Sequence, residues 1–186
     1  MVGNIPNLLT LSRILILPFF VAALIYEKYN YALVLFAVAA VTDLLDGLAA
    51  RMLKQITDFG KILDPVADKF LLITSFVLMS NIGLIPKWLT IIVITKDIII
   101  VTGCFILYFL NHSLTIEPVF LGKLASTLQF FLIGLVLLSC NVKYGFPISP
   151  AIYLTVAVIT GLAGIHYVYR GFKMANSKNA WPGSGG

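Results

Sequence analysis

The stretch TDLLDGLAARMLKQITDFGKILDPVADK, residues 42–69, carries the strongest pattern in this chain. Its aspartates form two pairs: Asp43 and Asp46 are three residues apart, and Asp64 and Asp68 are four residues apart. Residues three or four positions apart lie on the same face of a helix. Two helices that face each other can therefore present both carboxylate pairs to one point.

The composition places this stretch in a membrane protein. Of the 186 residues, 60% are hydrophobic and 11% are charged, whereas a soluble domain usually carries about 25% charged residues. The net charge of +5 is typical of the Lys and Arg excess on cytoplasmic loops, so we expect no nucleic-acid partner. An ionisable residue at a membrane is costly and marks a candidate functional site.

The apolar runs predict an all-α protein with six transmembrane helices, preceded by a short N-terminal interfacial segment at residues 4–12. The spans are predicted at residues 13–26, 31–51, 64–80, 88–110, 122–140 and 151–169. Residues 52–62 are predicted as a loop, because Pro65 favours the first turn of a helix. We expect residues 1–180 to form a single domain and residues 181–186 to be a tag or linker remnant.

Cationic residues indicate the orientation of these helices. With six spans, one side of the membrane receives Arg51, Lys54, Lys61, Lys69, Lys123, Arg170, Lys173 and Lys178. The excess of Lys and Arg marks the cytoplasmic side. We therefore expect both termini in the cytoplasm, with the acidic stretch at the cytoplasmic ends of helices 2 and 3.

The residue types in this stretch suit a metal-bound pyrophosphate. Carboxylates bind hard divalent cations such as Mg²⁺ together with substrate phosphates. Gly47 lets a nucleotide approach the backbone, Ala50 keeps the same face open, and Arg51 offers planar donors to phosphate oxygens. A single membrane aspartate is more often a structural partner, but four at these spacings favour a site. Asp58 is expected to be a solvated loop acid.

The chain resembles the CDP-alcohol phosphotransferases, whose signature is D-x2-D-G-x2-A-R-x8-G-x3-D-x3-D. All eight fixed positions are present: Asp43, Asp46, Gly47, Ala50, Arg51, Gly60, Asp64 and Asp68. The opening NIPNLLTLSR and the length also resemble the family, so that the resemblance covers nearly the whole chain. It implies a homodimeric enzyme of the bacterial inner membrane that moves a phosphatidyl group from CDP-diacylglycerol to an alcohol and releases CMP.

The resemblance also implies a role for each residue of the motif. Two divalent cations, Mg²⁺ or Mn²⁺, are held by the four aspartates Asp43, Asp46, Asp64 and Asp68. Asp68 is in addition the base that takes the proton from the acceptor hydroxyl. The CDP site is lined by Asp46, Gly47, Ala50, Arg51 and Gly60.

The acceptor alcohol is less clearly indicated. Asn7, Thr10 and Arg13 resemble the members that use glycerol 3-phosphate and form phosphatidylglycerol phosphate. The candidates for binding the acceptor phosphate are Lys96, Lys123 and Arg170. Alternatively, Lys96 and Asp97 form an internal ion pair, while Lys123 and Arg170 only mark the cytoplasmic side.

Two departures favour a different acceptor, phosphatidylglycerol, which would give cardiolipin. Members that use glycerol 3-phosphate usually have Arg-Glu where this chain has Lys96-Asp97, and many have a lysine in place of Ala125. Cardiolipin-forming members often have Arg-Asp at the first of these positions. Glycerol 3-phosphate is our main interpretation, and phosphatidylglycerol is the alternative.

Two other classes of protein remain as alternatives to an enzyme. Intramembrane acids can mark the path of a divalent-cation transporter. Transporters, however, usually place the site near the midplane between repeats, and no repeat is evident here. A purely structural membrane subunit would tolerate the loss of single aspartates.

Overall fold

The computed structural model describes the backbone of residues 5–53, 58–111, 120–142 and 145–177, and the side chains of residues 15–42, 69–103, 120–142 and 145–170. Within these parts the chain forms six α-helices and no strand, which confirms the all-α prediction. The helices are α1 (Ile5–Ile25), α2 (Tyr29–Leu53), α3 (Asp58–Asn81), α4 (Lys87–Asn111), α5 (Phe120–Asn141) and α6 (Pro150–Ser177).

The chain divides into two compact units. The first comprises Met1–Lys87 and Phe130–Ile148, and within it α1 contacts both α2 and α3. Its core includes a row of aromatic rings: the centroids of Phe20 and Phe36 are 6.1 Å apart, and those of Phe36 and Phe130 are 5.6 Å apart. These spacings fall in the range in which aromatic pairs attract each other beyond the burial of their surface.

The second unit comprises Trp88–Gln129 and Ser149–Gly186, so that it contains most of α4, the first half of α5 and α6. Proline and serine set the start of α6. Pro150 is its first residue, where the missing N–H leaves no bond unmade, and the hydroxyl of Ser149 accepts a hydrogen bond of 3.3 Å from the N–H of Ala151. Ser149 therefore caps this helix.

Two helices end in the same hydrogen-bonded motif. After α1, the N–H of Lys28 donates to the carbonyl of Ala23 at 2.8 Å, and Glu27 has a φ of 54°. After α3, the N–H of Leu84 donates to the carbonyl of Met79 at 2.8 Å, and Gly83 has a φ of 81°. Both are Schellman ends, in which a left-handed residue stops the helix.

Most helix positions agree with the sequence prediction, and three boundaries do not. Helices α2, α4 and α5 begin and end within two residues of their predicted limits. The backbone shows no break after residue 12, because Ile5–Ile25 is one helix, and the interfacial position expected for residues 4–12 stays a prediction. Pro6 lies in its first turn, where proline is tolerated, and the following polar residues do not interrupt the helix.

The other two differences concern α3 and α6. Helix α3 begins at Asp58 and not near Asp64, so the predicted loop at residues 52–62 is wrong wherever the backbone is described. Pro65 lies inside α3 and did not mark its start. Helix α6 continues to Ser177, so that Arg170 lies in the helix and not beyond it.

The apolar helices associate this protein with a membrane. In the described part of the chain, Phe120–Asn141 and Pro150–Arg170 are long and apolar enough to cross a bilayer. The outer face of α6 exposes Leu154, Val158, Leu162 and Ile165. A contiguous exposed apolar surface of this kind suits lipid better than water.

Candidate active site

The aspartate motif spans the end of α2 and the beginning of α3. Asp43, Asp46, Gly47 and Ala50 lie in the second half of α2, at positions that follow one face of the helix. Their side chains, like that of Arg51, lie outside the described residues. The backbone therefore places the first half of the motif on a helix, as the sequence predicted.

The second half of the motif is more regular than the sequence suggested. Because α3 begins at Asp58, Gly60 is helical and lies four residues before Asp64, which is itself four residues before Asp68. Residues four apart stack on one face, so Gly60, Asp64 and Asp68 share a face of α3. By the same register Asp58 does not belong to that face, although it is helical and not in a loop as expected.

The donor set of the motif fits a hard divalent cation. Four carboxylates and no histidine or cysteine suit Mg²⁺ or Mn²⁺ better than a soft metal. Among the side chains that the structure describes, no group of three or more His, Cys, Asp or Glu residues can hold a metal ion. The four aspartates lie outside that set, so their predicted role as ligands stays a prediction.

A buried polar network lies inside the second unit and joins α4, α5 and α6. The ammonium of Lys96 is 3.1 Å from Oδ1 of Asp97. It also donates to Oε1 of Gln129 at 3.5 Å, and Nε2 of Gln129 donates to Oγ1 of Thr160 at 3.0 Å. Lys96 and Asp97 are each 3% exposed, while Gln129 and Thr160 are fully buried.

Small residues make room for this network. Ala125 and Ala163 are fully buried. A Cβ atom on Gly164 would lie 3.6 Å from Cγ of Lys96, so the lysine stem lies close against α6. Ala125 precedes Gln129 by one helical turn, and the two therefore share a face of α5. Many members of the family that use glycerol 3-phosphate were expected to have a lysine at position 125. In this chain that position is Ala125, which faces the interior of the second unit.

The three cations predicted to bind the acceptor have different environments. Lys96 is buried and paired with Asp97, Lys123 is exposed, and Arg170 is half-buried. All three belong to the second unit. The internal ion pair that we considered for Lys96 and Asp97 is present. A charge pair of this kind in an apolar interior is weak evidence of stabilisation, because desolvation opposes the attraction.

The first turn of α5 lies against an aromatic ring of α6. A Cβ atom on Gly122 would be 2.5 Å from the hydroxyl oxygen of Tyr167 and 2.8 Å from its Cε2. Only glycine therefore fits beneath this ring in its present position. Lys123, the next residue, projects from the same turn and its carbonyl accepts a hydrogen bond of 3.0 Å from Thr127.

Sequence reasoning missed two members of the network. Neither Gln129 nor Thr160 was among the residues predicted to form the site. Each is a polar residue in a largely apolar helix. In lipid such a side chain needs a hydrogen-bond partner, and that requirement is the signal that could have revealed a buried network.

Comparison with known proteins gives the chain its family. A family model described as CDP-alcohol phosphatidyltransferase matches residues 3–163. A probable phosphatidylglycerophosphate synthase of Mycobacterium tuberculosis is 30% identical over 180 residues, which cover 92% of this chain and 83% of that protein. A CDP-diacylglycerol–glycerol-3-phosphate 3-phosphatidyltransferase of Aquifex aeolicus is 33% identical over 177 residues, covering 92% and 97%.

A relative with a different printed activity is also similar. The human cardiolipin synthase (CMP-forming) is 31% identical over 191 residues, which cover 91% of this chain and 62% of that protein. The helical fold, the motif and these matches define a membrane-associated phosphatidyltransferase. The chain belongs to the CDP-alcohol phosphatidyltransferase family, and the resemblance predicted from its aspartate motif is confirmed.

Proposed function

We propose that this chain transfers the phosphatidyl group of CDP-diacylglycerol to glycerol 3-phosphate, forming phosphatidylglycerol phosphate and CMP. The observation that carries the proposal is the complete motif, whose second half falls on one face of α3. The printed activities of the relatives from M. tuberculosis and A. aeolicus support the choice of acceptor.

The residues of the motif divide the chemistry among them. Asp43, Asp46, Asp64 and Asp68 hold two divalent cations, which would stabilise negative charge on the pyrophosphate oxygens. Gly47, Ala50 and Gly60 leave space for CDP, and Asp46 and Arg51 contact it. These assignments rest on the match to the family signature.

The transfer itself is a displacement at phosphorus. The acceptor hydroxyl attacks the phosphorus that carries diacylglycerol, and the bond from that phosphorus to the CMP oxygen breaks. Asp68 takes the hydroxyl proton, since a carboxylate within hydrogen-bond reach of a nucleophile can act as general base. CMP leaves as the second product.

The acceptor's own phosphate needs cationic partners. We assign this role to Lys96, with Lys123 and Arg170 as further candidates on the same unit. A desolvated ammonium attracts a phosphate more strongly than one in water does. Because Lys96 is 3% exposed, an acceptor phosphate has to reach it inside the unit, where the attraction is strong and desolvation of both charges opposes it.

Phosphatidylglycerol is the second candidate acceptor. The acidic neighbour of Lys96, Asp97, lies 3.1 Å from the ammonium and reduces its effective charge. The lower effective charge weakens the attraction for the doubly charged phosphate of glycerol 3-phosphate more than that for the singly charged phosphodiester of phosphatidylglycerol. The similarity to the human cardiolipin synthase also supports this alternative.

The membrane arrangement is part of the same proposal. We place six spans in a bacterial inner membrane, with both termini and the active site on the cytoplasmic side. CDP-diacylglycerol then keeps its acyl chains in lipid while its headgroup reaches the motif. Residues 1–180 form one catalytic domain, and two copies form a homodimer.

The decisive measurement is CMP release by the purified protein. CDP-diacylglycerol and Mg²⁺ or Mn²⁺ are supplied with glycerol 3-phosphate in one reaction and phosphatidylglycerol in another. Release with glycerol 3-phosphate alone is the expected result. Release with phosphatidylglycerol alone would replace the proposed acceptor, and cation flux across vesicles without CMP release would favour a transporter.

A further inference from the structure

The side-chain amide of Gln129 lies between a cation and a hydroxyl group on two different helices. Its oxygen accepts from Lys96 of α4 at 3.5 Å, and its nitrogen donates to Thr160 of α6 at 3.0 Å. Gln129 and Thr160 are completely buried. A buried amide that has partners on both its atoms is fixed in position and in direction.

The direction of the amide follows from the charge of Lys96. An ammonium group only donates hydrogen bonds, so the amide atom that faces it has to be the oxygen. The nitrogen then faces Thr160, whose hydroxyl oxygen accepts. Thr160 thus holds the amide of Gln129 in place, while the charge of Lys96 determines which of its two atoms faces the ammonium.

Gln129 acts on Lys96 differently from Asp97. Asp97 is the next residue on α4 and draws the ammonium towards its own helix, at 3.1 Å. Gln129 approaches from α5 and carries no net charge, so it guides the ammonium without repelling an anion. The lysine stem passes close to α6 at Gly164, where a Cβ atom would lie 3.6 Å from Cγ of Lys96, an ordinary contact distance.

We propose that Gln129, held by Thr160, is a positioning residue that keeps the ammonium of Lys96 where it binds the phosphate of the acceptor alcohol. This role rests on the proposed function, in which Lys96 contacts that phosphate. Gln129 touches neither substrate. Its loss therefore weakens the binding of the acceptor and leaves that of CDP-diacylglycerol unchanged.

The test uses four single variants of the full chain in detergent. Gln129→Met keeps the length of the side chain and removes the amide, and Thr160→Val keeps its shape and removes the hydroxyl. Thr160→Ser restores a hydroxyl at the same position. Thr155→Val is the matched control, because Thr155 is an exposed threonine of α6 whose hydroxyl donates to the carbonyl of Ala151 in its own helix at 2.8 Å.

Two quantities are measured for each variant: calorimetric binding of glycerol 3-phosphate, and steady-state CMP release. We expect Gln129→Met and Thr160→Val each to raise the Kd and the KM for glycerol 3-phosphate about tenfold, because the first removes a hydrogen bond to a charged group and the second releases the amide that makes that bond. The kcat and the KM for CDP-diacylglycerol should stay near those of the unaltered protein, as should every value for Thr155→Val. Thr160→Ser should restore acceptor binding.

The double variant separates positioning from general stability. Because Thr160 acts through Gln129, Gln129→Met combined with Thr160→Val should be no worse than either change alone. Additive losses, or a fall in kcat with an unchanged KM for the acceptor, would overturn the positioning role and leave the proposed function intact. If the unaltered protein neither binds glycerol 3-phosphate nor releases CMP with it, the proposed acceptor fails first and the role of Gln129 fails with it.

Discussion

The side-chain amide of Asn141 donates a hydrogen bond of 3.0 Å to the main-chain carbonyl of Tyr29. This bond joins the last residue of α5 to the first residue of α2, within the first unit. The same nitrogen donates to the carbonyl of Leu137 at 2.8 Å, so both of its hydrogens are used. The side chain of Asn141 thus bonds to the last turn of α5 and links α5 to the start of α2.

Replacing Asn141 by Leu should lower the free energy of unfolding by about 1 kcal/mol, the usual net contribution of a hydrogen bond. Leucine has the same number of side-chain heavy atoms and the same branching at Cγ, so it removes the hydrogen bonds while keeping the shape. Thermal unfolding in detergent provides the measurement. Asn30→Leu is the control, since Asn30 is exposed on the same turn of α2. Equal midpoints for the two variants would contradict the bond's contribution.

Gly83 and Gly161 form a matched pair in which only the backbone differs. A Cβ atom at either position meets nothing within 4 Å, but Gly83 has a φ of 81° whereas Gly161 lies inside α6. Gly83→Ala should therefore destabilise the protein by about 1 kcal/mol. Gly161→Ala should stabilise it by up to about 1 kcal/mol, as helix propensity predicts. Unfolding midpoints that shift in the same direction would refute the backbone explanation.

Gly122→Ala tests the contact between α5 and the ring of Tyr167. The new methyl group would lie 2.5 Å from the tyrosine oxygen, so the ring has to move. We expect a loss of about 1–3 kcal/mol, as for other overpacked sites. When Tyr167 is already Ala, adding Gly122→Ala should cause no further loss of stability. Gly134→Ala is the control, because its nearest neighbour, Phe36, lies at an ordinary 3.6 Å.

Asp68 and Asp58 provide a matched pair within the motif region. Both are aspartates of α3, but only Asp68 shares a face with Gly60 and Asp64. Asp68→Asn should reduce CMP release by at least about a hundredfold, since general bases contribute that much. Asp58→Asn should retain activity. Substantial turnover by Asp68→Asn in correctly folded protein would remove the role assigned to it.

Chelation is a further check on the same residues. Removal of divalent cations should stop CMP release by the unaltered protein, and added Mg²⁺ or Mn²⁺ should restore it. Activity that persists in excess chelator would contradict the proposed metal site. Because the four aspartates repel one another without a cation, the chelated protein should also unfold at a lower temperature.

The ion pair of Lys96 and Asp97 allows structure and function to be separated. Asp97→Leu leaves a buried ammonium without its carboxylate and should cost about 3–5 kcal/mol of stability. The double change Lys96→Met and Asp97→Leu removes both charges and should recover much of this loss, short of about 1–3 kcal/mol because the buried oxygen of Gln129 then lacks the ammonium as donor. We expect this stable double variant to lose use of glycerol 3-phosphate. Full activity would mean that the pair has no role with substrate.

Apolar runs predicted most of the fold, because span length is set by the hydrocarbon thickness and is visible in the sequence. The predicted helix boundaries that disagree with the structure were based on single prolines and short polar stretches. Pro65 was taken as a helix start, but it lies inside α3, and the polar residues after Pro6 do not end α1. A proline constrains its own φ and removes one donor, which does not determine on which turn of a helix it lies.

The candidate site, too, was only partly predictable from the sequence. The aspartate motif was recognisable because its spacing repeats within single helices. The network of Lys96, Gln129 and Thr160 joins residues more than thirty positions apart. Such pairs depend on how helices pack, and one sequence does not contain that information. Only the presence of polar residues in apolar helices hinted at them.

The helical start of α3 determines how the motif tolerates changes in length. Gly60, Asp64 and Asp68 are separated by steps of about 6 Å along one rod, since each residue advances about 1.5 Å. One residue inserted between Gly60 and Asp64 would rotate everything before it by about 100° relative to the two acids. The number of residues between these three positions is therefore as strict a requirement as their identity. An insertion here changes the direction of Gly60 around the helix axis relative to the two aspartates, and not only its distance from them.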